Sequence, residues 1–250
     1  MLKNKIIVVC GGLGRIGFNL TKEILKNGGT VICADINDSN SFKITKKYIK
    51  NFNYCKFDIS KNEEIDKLIK FCNTFKKIDG IVNCAYPKPL NYGKKFKNLD
   101  FKYLNDFFNL HLSSSIIINQ KFIKLFLKQK HGNIINFSSI QGISSPKFEH
   151  YKQTKMTSPL EYTAAKSSII AITKYLAKYC KNKNIRINCI SPGGIKDNQP
   201  SIFLKKYKEA TLNKGMLDPD DIMGSIIFLL SDTSKYINGQ NLIVDDGWSL

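Results

Sequence analysis

Three tyrosines in this chain of 250 residues are followed four places later by a lysine: Tyr151/Lys155, Tyr162/Lys166 and Tyr179/Lys183. A phenol and an ammonium one helical turn apart make a proton donor and acceptor for near-neutral pH, because the cation stabilises the phenolate and lowers the phenol pKa. Spacing does not choose among the three, since lysine is so frequent here that one or two such pairs arise by chance. Context separates them. The stretch "LEYTAAKSSIIAITKYLAKYC" has the small and apolar residues of a long buried helix, and Pro159 and Glu161 suit its first turn. "HYKQTKMTSP" carries no apolar face and runs into Pro159, which reads as a loop. The chemistry is therefore assigned to Tyr162 and Lys166, and the other two pairs to coincidence. A third group must hold the reacting oxygen, and "GNIINFSSIQG" ends a strand in Ser138 and Ser139. Strand alternation sends one of them inward, and the Ser-x-x-Gly phrasing with Gly142 favours Ser139; the alternative for either hydroxyl is a local turn bond.

A second constellation binds phosphate. "VVCGGLGRIGFNL" places Gly11, Gly12, Gly14 and Gly17 between a first strand and a first helix. Backbone N–H groups and the positive end of the helix dipole meet a pyrophosphate there, and glycine lets the backbone come close. The G-x-G-x-x-G spacing is weak alone and gains specificity from its position after a strand, at the head of a helix, and about 20 residues before Asp35, which ends "TVICAD". That carboxylate accepts from adenosine ribose hydroxyls and repels a 2'-phosphate, so NAD is expected over NADP. Asp58, closing "YCKFDIS", is a candidate acceptor for the adenine amino group, and Asn83, Cys84 and Ala85 are candidates for the adenine wall.

These groups need a frame. Seven short apolar runs, at 5–10, 30–35, 54–58, 80–85, 133–138, 185–190 and 241–245, read as strands. Helical spacing fills 15–27, 63–75, 99–129, 162–179 and 219–230. Alternation over the whole chain predicts an α/β class: a doubly wound parallel sheet with helices on both faces, in one domain over 1–250. Two long breaks, 143–159 and 193–215, follow strands, where open parallel sheets bind ligands. A hydrophobic fraction of 42% is that of a soluble domain. No apolar run approaches the roughly 20 residues of a membrane span, and the apolar start is too short for a signal peptide, so a cytoplasmic protein with no membrane partner is expected. The seven cysteines show no paired metal spacing and read as reduced, buried hydrophobes, with no metal. The net charge of +19 is almost all lysine, with arginine only at positions 15 and 186. Lysines spread along the chain argue against nucleic acid as a partner and for a solvated surface, or for an anionic substrate such as a sugar phosphate or a nucleotide-sugar.

Together these motifs resemble the short-chain dehydrogenase/reductase family over essentially the whole chain. The matching residues are the glycine loop, Asp35, Asp58, "NCA" at 83–85, Ser139, Tyr162 and Lys166, "ISPGG" at 190–194 and "GQNLIVDDG" at 239–247. The resemblance implies a Rossmann-type domain, a nicotinamide cofactor, Tyr162 as acid and base, and Ser139 polarising a carbonyl or alcohol. It implies a cofactor set of Gly11, Gly14, Arg15, Ile16, Gly17, Asp35, Asp58, Ile59, Asn83, Ala85, Tyr162, Lys166, Pro192, Gly193 and Ile195. It further implies a homodimer or homotetramer built through segments 99–129 and 160–180.

The chain departs from the family pattern in four places. "NNAG" reads "NCAY" here, so Tyr86 and Pro87 make a bulkier wall where a glycine is expected. The helix asparagine of the family falls on His111, either an anchor for a proton-relay water to Lys166 or a buried structural histidine. The separation of Ser139 from Tyr162 is lengthened by the segment 143–158, and Asp197 stands near where a threonine is common. With "KMTSPLEYTAAK", "SPGGIKDNQP" and the ending "DDGWSL", these features resemble the flagellin-modification branch associated with legionaminic acid and related nonulosonate sugars. That resemblance implies an amino-sugar or sugar-phosphate substrate, which Lys88, Lys94, Lys95, Lys147, Lys152, Lys155 and Lys196 would suit electrostatically. The competing readings are a ketoacyl or general alcohol dehydrogenase, and a nucleotide-sensing protein on the same fold without turnover.

Overall fold

Short β-branched runs form the strands of one parallel sheet: β1 (Ile6–Cys10), β2 (Thr30–Asp35), β3 (Phe52–Lys56), β4 (Gly80–Asn83), β5 (Gly132–Phe137), β6 (Ile185–Pro192) and β7 (Asn241–Val244). The computed structural model describes residues 1–38, 46–89 and 91–250, and the strand order is β3-β2-β1-β4-β5-β6-β7. The order reverses between β1 and β4, where Val9 pairs with Val82 and Cys10 with Asn83. Such a reversal opens a crevice at the carboxyl ends of the strands.

The helices are α1 (Arg15–Lys26), α2 (Asn62–Cys72), α3 (Phe101–Phe108), α4 (Ser114–Gln129), α5 (Leu160–Tyr179), α6 (Ser201–Glu209) and α7 (Met223–Leu230). Because a central parallel strand is covered on both sides, neighbours in one strand feed different cores. Val9 joins Leu20, Ile24, Ile226 and Leu230 from α1 and α7, while Val8 and Cys10 join Leu68, Ile118, Phe122 and Phe126 from α2 and α4. Each such large side chain contributes about 1.5–3 kcal/mol on burial, so these two cores dictate where the strand ends fall.

A buried polar chain sets the position of α5. Asn119 on α4 donates to Asn136 Oδ1 on β5 at 3.0 Å, and Asn136 donates to Thr173 Oγ1 on α5 at 3.1 Å. A buried polar chain in an apolar interior tolerates little sliding, because each broken link leaves a further desolvated group unpaired.

Several boundaries differ from the sequence reading. The single helix expected over 99–129 is two helices joined by a wide π turn, Asn109–Ser113, whose extra residue rotates His111 relative to both. Ser114 donates its hydroxyl to the Leu110 carbonyl across that turn, a local competitor with the regular ladder. The helix expected from 219 begins as a tight turn, Pro219–Ile222, capped by Asp218 and Asp221, before α7. Asp58 and Ala85 lie beyond the strands assigned to them. The expected loop 193–215 contains α6, and 143–159 contains a helical turn, Phe148–Tyr151. Periodicity missed both because they pack on each other: Ile140, Phe203, Tyr207, Met216 and Trp248 form a third small core, with Tyr151 and Met156 against it. Lys206 fastens the two pieces, donating to the carbonyls of Glu149 and Lys152 at 3.1 and 3.2 Å. Among the described residues no helix is long and apolar enough to cross a membrane.

Candidate active site

The turn from β1 into α1 is built with almost no room for side chains. Gly11 has φ +70°, and a Cβ there would lie 2.8 Å from the Ala85 Cα; a Cβ on Gly17 would lie 2.0 Å from the Gly11 carbonyl oxygen. The loop thus wedges between the end of β4 and the first turn of α1, its backbone facing outward. Asp35, ending β2, braces it: one carboxylate oxygen accepts the Leu13 N–H at 2.8 Å and the other the Asn37 N–H at 2.9 Å.

One cavity of about 840 Å³ runs from this loop along the crevice to the third core. Gly11, Gly14, Arg15, Ile16, Asp35, Asp58, Ile59, Ala85, Pro192, Gly193 and Ile195 line its first half, and Ser139, Tyr162 and Lys166 its middle. A cradle that a Cβ would fill, with a carboxylate at its far end, fits a dinucleotide. Three expected site residues lie off the cavity. Gly17 sits beneath the loop, where the close approach to Gly11 requires it. Asn83 turns its Oδ1 back to accept the Ala85 N–H at 3.3 Å. His111 lies behind Tyr86, with ring centres 4.8 Å apart. Arg15 spans the crevice, donating to the Lys196 carbonyl at 2.6 Å and pairing with Asp197.

The two serines divide their work. Ser138 donates to the Lys166 carbonyl at 2.7 Å, and Gly142 lets α5 approach, since its Cβ would fall 2.5 Å from Ser138 Oγ and 2.9 Å from the Lys166 backbone. Ser139 instead faces the Tyr162 phenol, and its hydroxyl opposes the upward push that burial gives that group. The Lys166 ammonium lies 5.6 Å from the centre of the Tyr162 ring and donates to the Phe137 carbonyl at 2.9 Å. Burial brings its pKa down to about 8. A hydroxyl, a phenol and an ammonium converging at a cavity wall can bind a substrate oxygen and move one proton to or from it.

The far half of the cavity holds residues that sequence reasoning did not assign. Tyr151, set aside as a coincidental neighbour of Lys155, lines the cavity and accepts from Gln141 Nε2 at 3.1 Å; Gln141 accepts in turn from Ser158 at 3.1 Å. His150, Gln199, Phe203, Tyr207 and Trp248 complete this end. The ending "DDGWSL" was a usable signal, since it carries the lone tryptophan. Of the seven loop lysines, only Lys88 lines the cavity. Lys94 is bound to Asp100 at 2.6 Å, and Lys147 lies over the Trp248 ring at 4.9 Å. Apart from Lys88, the far walls are therefore mostly aromatic, aliphatic and neutral polar.

A family model described as enoyl-(acyl carrier protein) reductase matches residues 14–249. A post-translational flagellin modification protein A of Campylobacter coli is 44% identical, over 100% of both chains. A 3-oxoacyl-(acyl-carrier-protein) reductase of Chlamydia trachomatis is 31% identical over 99% of this chain and 98% of that one. Among solved structures, a short chain dehydrogenase from Leptospira borgpetersenii with bound NAD+ superposes with a TM-score of 0.89 at 32% identity, covering 100% of this chain and 94% of that one. A 4-hydroxyisoleucine dehydrogenase complexed with NADH superposes with a TM-score of 0.80 at 27% identity, covering 98% of each chain.

Proposed function

This chain belongs to the short-chain dehydrogenase/reductase family, oxidoreductases of CH–OH and keto groups, and on that premise we propose that it uses NAD to interconvert a hydroxyl and a keto group on a sugar-type substrate of a flagellin-type glycan. The observation that carries this reading is the union, in one cavity, of the glycine loop, Ser139, Tyr162 and the Lys166 ammonium. A bound nicotinamide accepts or supplies the hydride. In the oxidative direction Tyr162, as phenolate, takes the hydroxyl proton. Ser139 donates to the substrate oxygen and fixes its distance from Tyr162. Lys166 stabilises the phenolate and would hold the ribose of a bound cofactor through its ammonium. In the reductive direction Tyr162 returns the proton to the nascent alkoxide.

Asp35 supports NAD over NADP, because a 2'-phosphate beside it meets a carboxylate, and Arg15, the one cation of the loop, is already engaged by Lys196 and Asp197. The far walls support a sugar: the aromatic rings of Tyr86 and Tyr151 offer a surface to the apolar face of a pyranose, and the Gln141 amide has donor and acceptor capacity left for its hydroxyl groups. With a single loop lysine on the cavity wall, an amino-sugar suits this site better than a sugar phosphate. The Campylobacter coli relative, named for flagellin modification, points the same way. Exposed Ile116, Leu127, Leu160, Tyr175 and Tyr179 on α4 and α5 support a homodimer or homotetramer.

The test is a fluorescence titration with NADH and NADPH, then a screen of keto-sugars and nucleotide-sugars against the wild type and Tyr162→Phe. NADH binding with sugar turnover lost in the variant is expected. Equal turnover by the variant refutes the assignment of Tyr162. Activity on an acetoacetyl thioester but on no sugar turns the reading to a ketoacyl reductase, which the Chlamydia trachomatis relative would favour.

A further inference from the structure

Tyr86 follows β4 where the family pattern has glycine, and its ring occupies the space beside the catalytic pair. It meets Tyr162 edge-on, with centres 5.8 Å apart at 89°, and the Lys166 Nζ lies 5.7 Å from its centre. Three contacts hold the ring there. Its hydroxyl donates to the Tyr92 hydroxyl at 2.6 Å; its ring meets the His111 ring at a tilt of 52°, with centres 4.8 Å apart; and the carbonyl of the next residue, Pro87, faces the His111 ring. Phe107 is fully buried and buttresses both supports, stacked on His111 at 4.2 Å and on Tyr92 at 6.1 Å.

The same contacts speak against His111 as a carrier of protons. Its ring is sandwiched between Phe107 and Tyr86, and its Nε2 is buried without a partner among the described residues. Burial, and after it the ammonium of Lys166 on α5, bring its pKa down to about 4. Among the described residues, Tyr86 from the segment after β4 packs against it, and the buried Glu161 carboxylate acts on Tyr86 and Tyr92 rather than on the imidazole. A neutral imidazole locked between two rings is a strut.

We infer that His111 is a positioning residue: stacked on Phe107 and tilted against the Tyr86 ring, it holds Tyr86 edge-on against Tyr162, and Tyr86 closes the flank of the Tyr162–Lys166 pair that water would otherwise reach. This rests on the reading of Tyr162 as the acid and base. Tyr86 thereby also sets how wide a substrate the catalytic end of the cavity accepts.

The experiment is read without substrate, so that failure of the turnover reading does not touch it. The whole protein, labelled at tyrosine Cζ and histidine ring nitrogens, is titrated by NMR, with the Tyr162 signal identified by its loss in Tyr162→Phe. Opening the flank lets water reach a phenol that burial had pushed up. Tyr86→Ala should therefore lower the Tyr162 midpoint by about one unit, and His111→Ala should lower it in the same direction. His111→Asn and His111→Gln present an amide donor near the two ring-nitrogen positions and cannot carry a proton; at least one should restore the wild-type midpoint. Wild-type His111 should stay neutral down to about pH 5. A His111 that titrates between about pH 6 and 8, amide variants that behave like alanine, or a Tyr162 midpoint unmoved in Tyr86→Ala would each overturn the inference. If His111→Ala does not fold, the wild-type histidine titration and the Tyr86→Ala midpoint still decide.

Discussion

Replacing Asp35 by asparagine separates two jobs that its carboxylate performs. Its oxygens accept the Leu13 and Asn37 N–H groups at 2.8 and 2.9 Å, in a side chain only 4% exposed. Asparagine keeps the shape and one acceptor, but its NH2 faces the second amide donor, so one part-buried bond to a carboxylate is lost. Losing a hydrogen bond of this kind costs about 1–3 kcal/mol, and for a domain of this size each kcal/mol lowers Tm by about 2–4 °C. A fall of about 2–12 °C is expected. The cofactor effect is separate. Exchanging a charged acceptor for a neutral one on the ribose hydroxyls removes about 1.4 kcal/mol or more, so NADH affinity should fall about tenfold or more. NADPH, no longer repelled, should gain on NADH. The assay is thermal denaturation together with fluorescence titration of both cofactors on wild type and variant. Wild-type protein that binds NADPH more tightly than NADH, or a variant with unchanged Tm and unchanged cofactor preference, would refute the argument that this carboxylate both braces the loop and selects NAD.

Tyr162→Phe should cost about 10²–10⁴-fold in kcat while leaving NADH binding near wild type; parallel loss of NADH affinity would mean that the side chain holds cofactor and does no proton transfer. Gly17→Ala places a Cβ 2.0 Å from a backbone oxygen, so NADH binding should be lost and Tm lowered, and a variant that binds NADH normally would show that the loop can move as a whole. The Lys166 ammonium is held at about 8 against an ordinary 10.5 by burial. The unfolded chain therefore binds more protons between these values, and the cost of charging this lysine is full below about pH 8 and fades as the pH rises toward 10.5. The Tm of Lys166→Met relative to wild type should accordingly be higher near pH 7 than near pH 10, and a difference independent of pH contradicts the burial of the charge. Tyr151→Phe, which removes the hydroxyl bonded to Gln141 at 3.1 Å, should raise the KM of a keto-sugar more than it lowers kcat.

Much of the catalytic half was legible because its chemistry is local in the chain. The glycine spacing must follow a strand and open a helix, since the backbone N–H groups and the helix dipole are supplied by covalent neighbours. Asp35 ends the adjacent parallel strand, and Tyr162 and Lys166 share a face of one helix by the period of that helix. Choosing among three Tyr/Lys pairs needed only the apolar pattern around each. The same logic misjudged 99–129, because a π turn leaves no trace in apolar spacing when both flanking helices are amphipathic.

The sequence by itself thus determined the α/β alternation, the glycine loop ahead of α1 with Asp35 at the end of β2, and the placing of Tyr162 and Lys166 one turn apart on α5. The tertiary structure alone decided what a substrate meets: it brought Tyr151 and Trp248 to one wall, kept six of the seven loop lysines off it, and put Tyr86 between His111 and the catalytic pair. The reason is range. Motifs whose parts are joined by a few bonds carry their geometry in their spacing, whereas walls assembled from residues scores of positions apart depend on how two cores and a buried polar chain position the elements, and no local pattern records that packing.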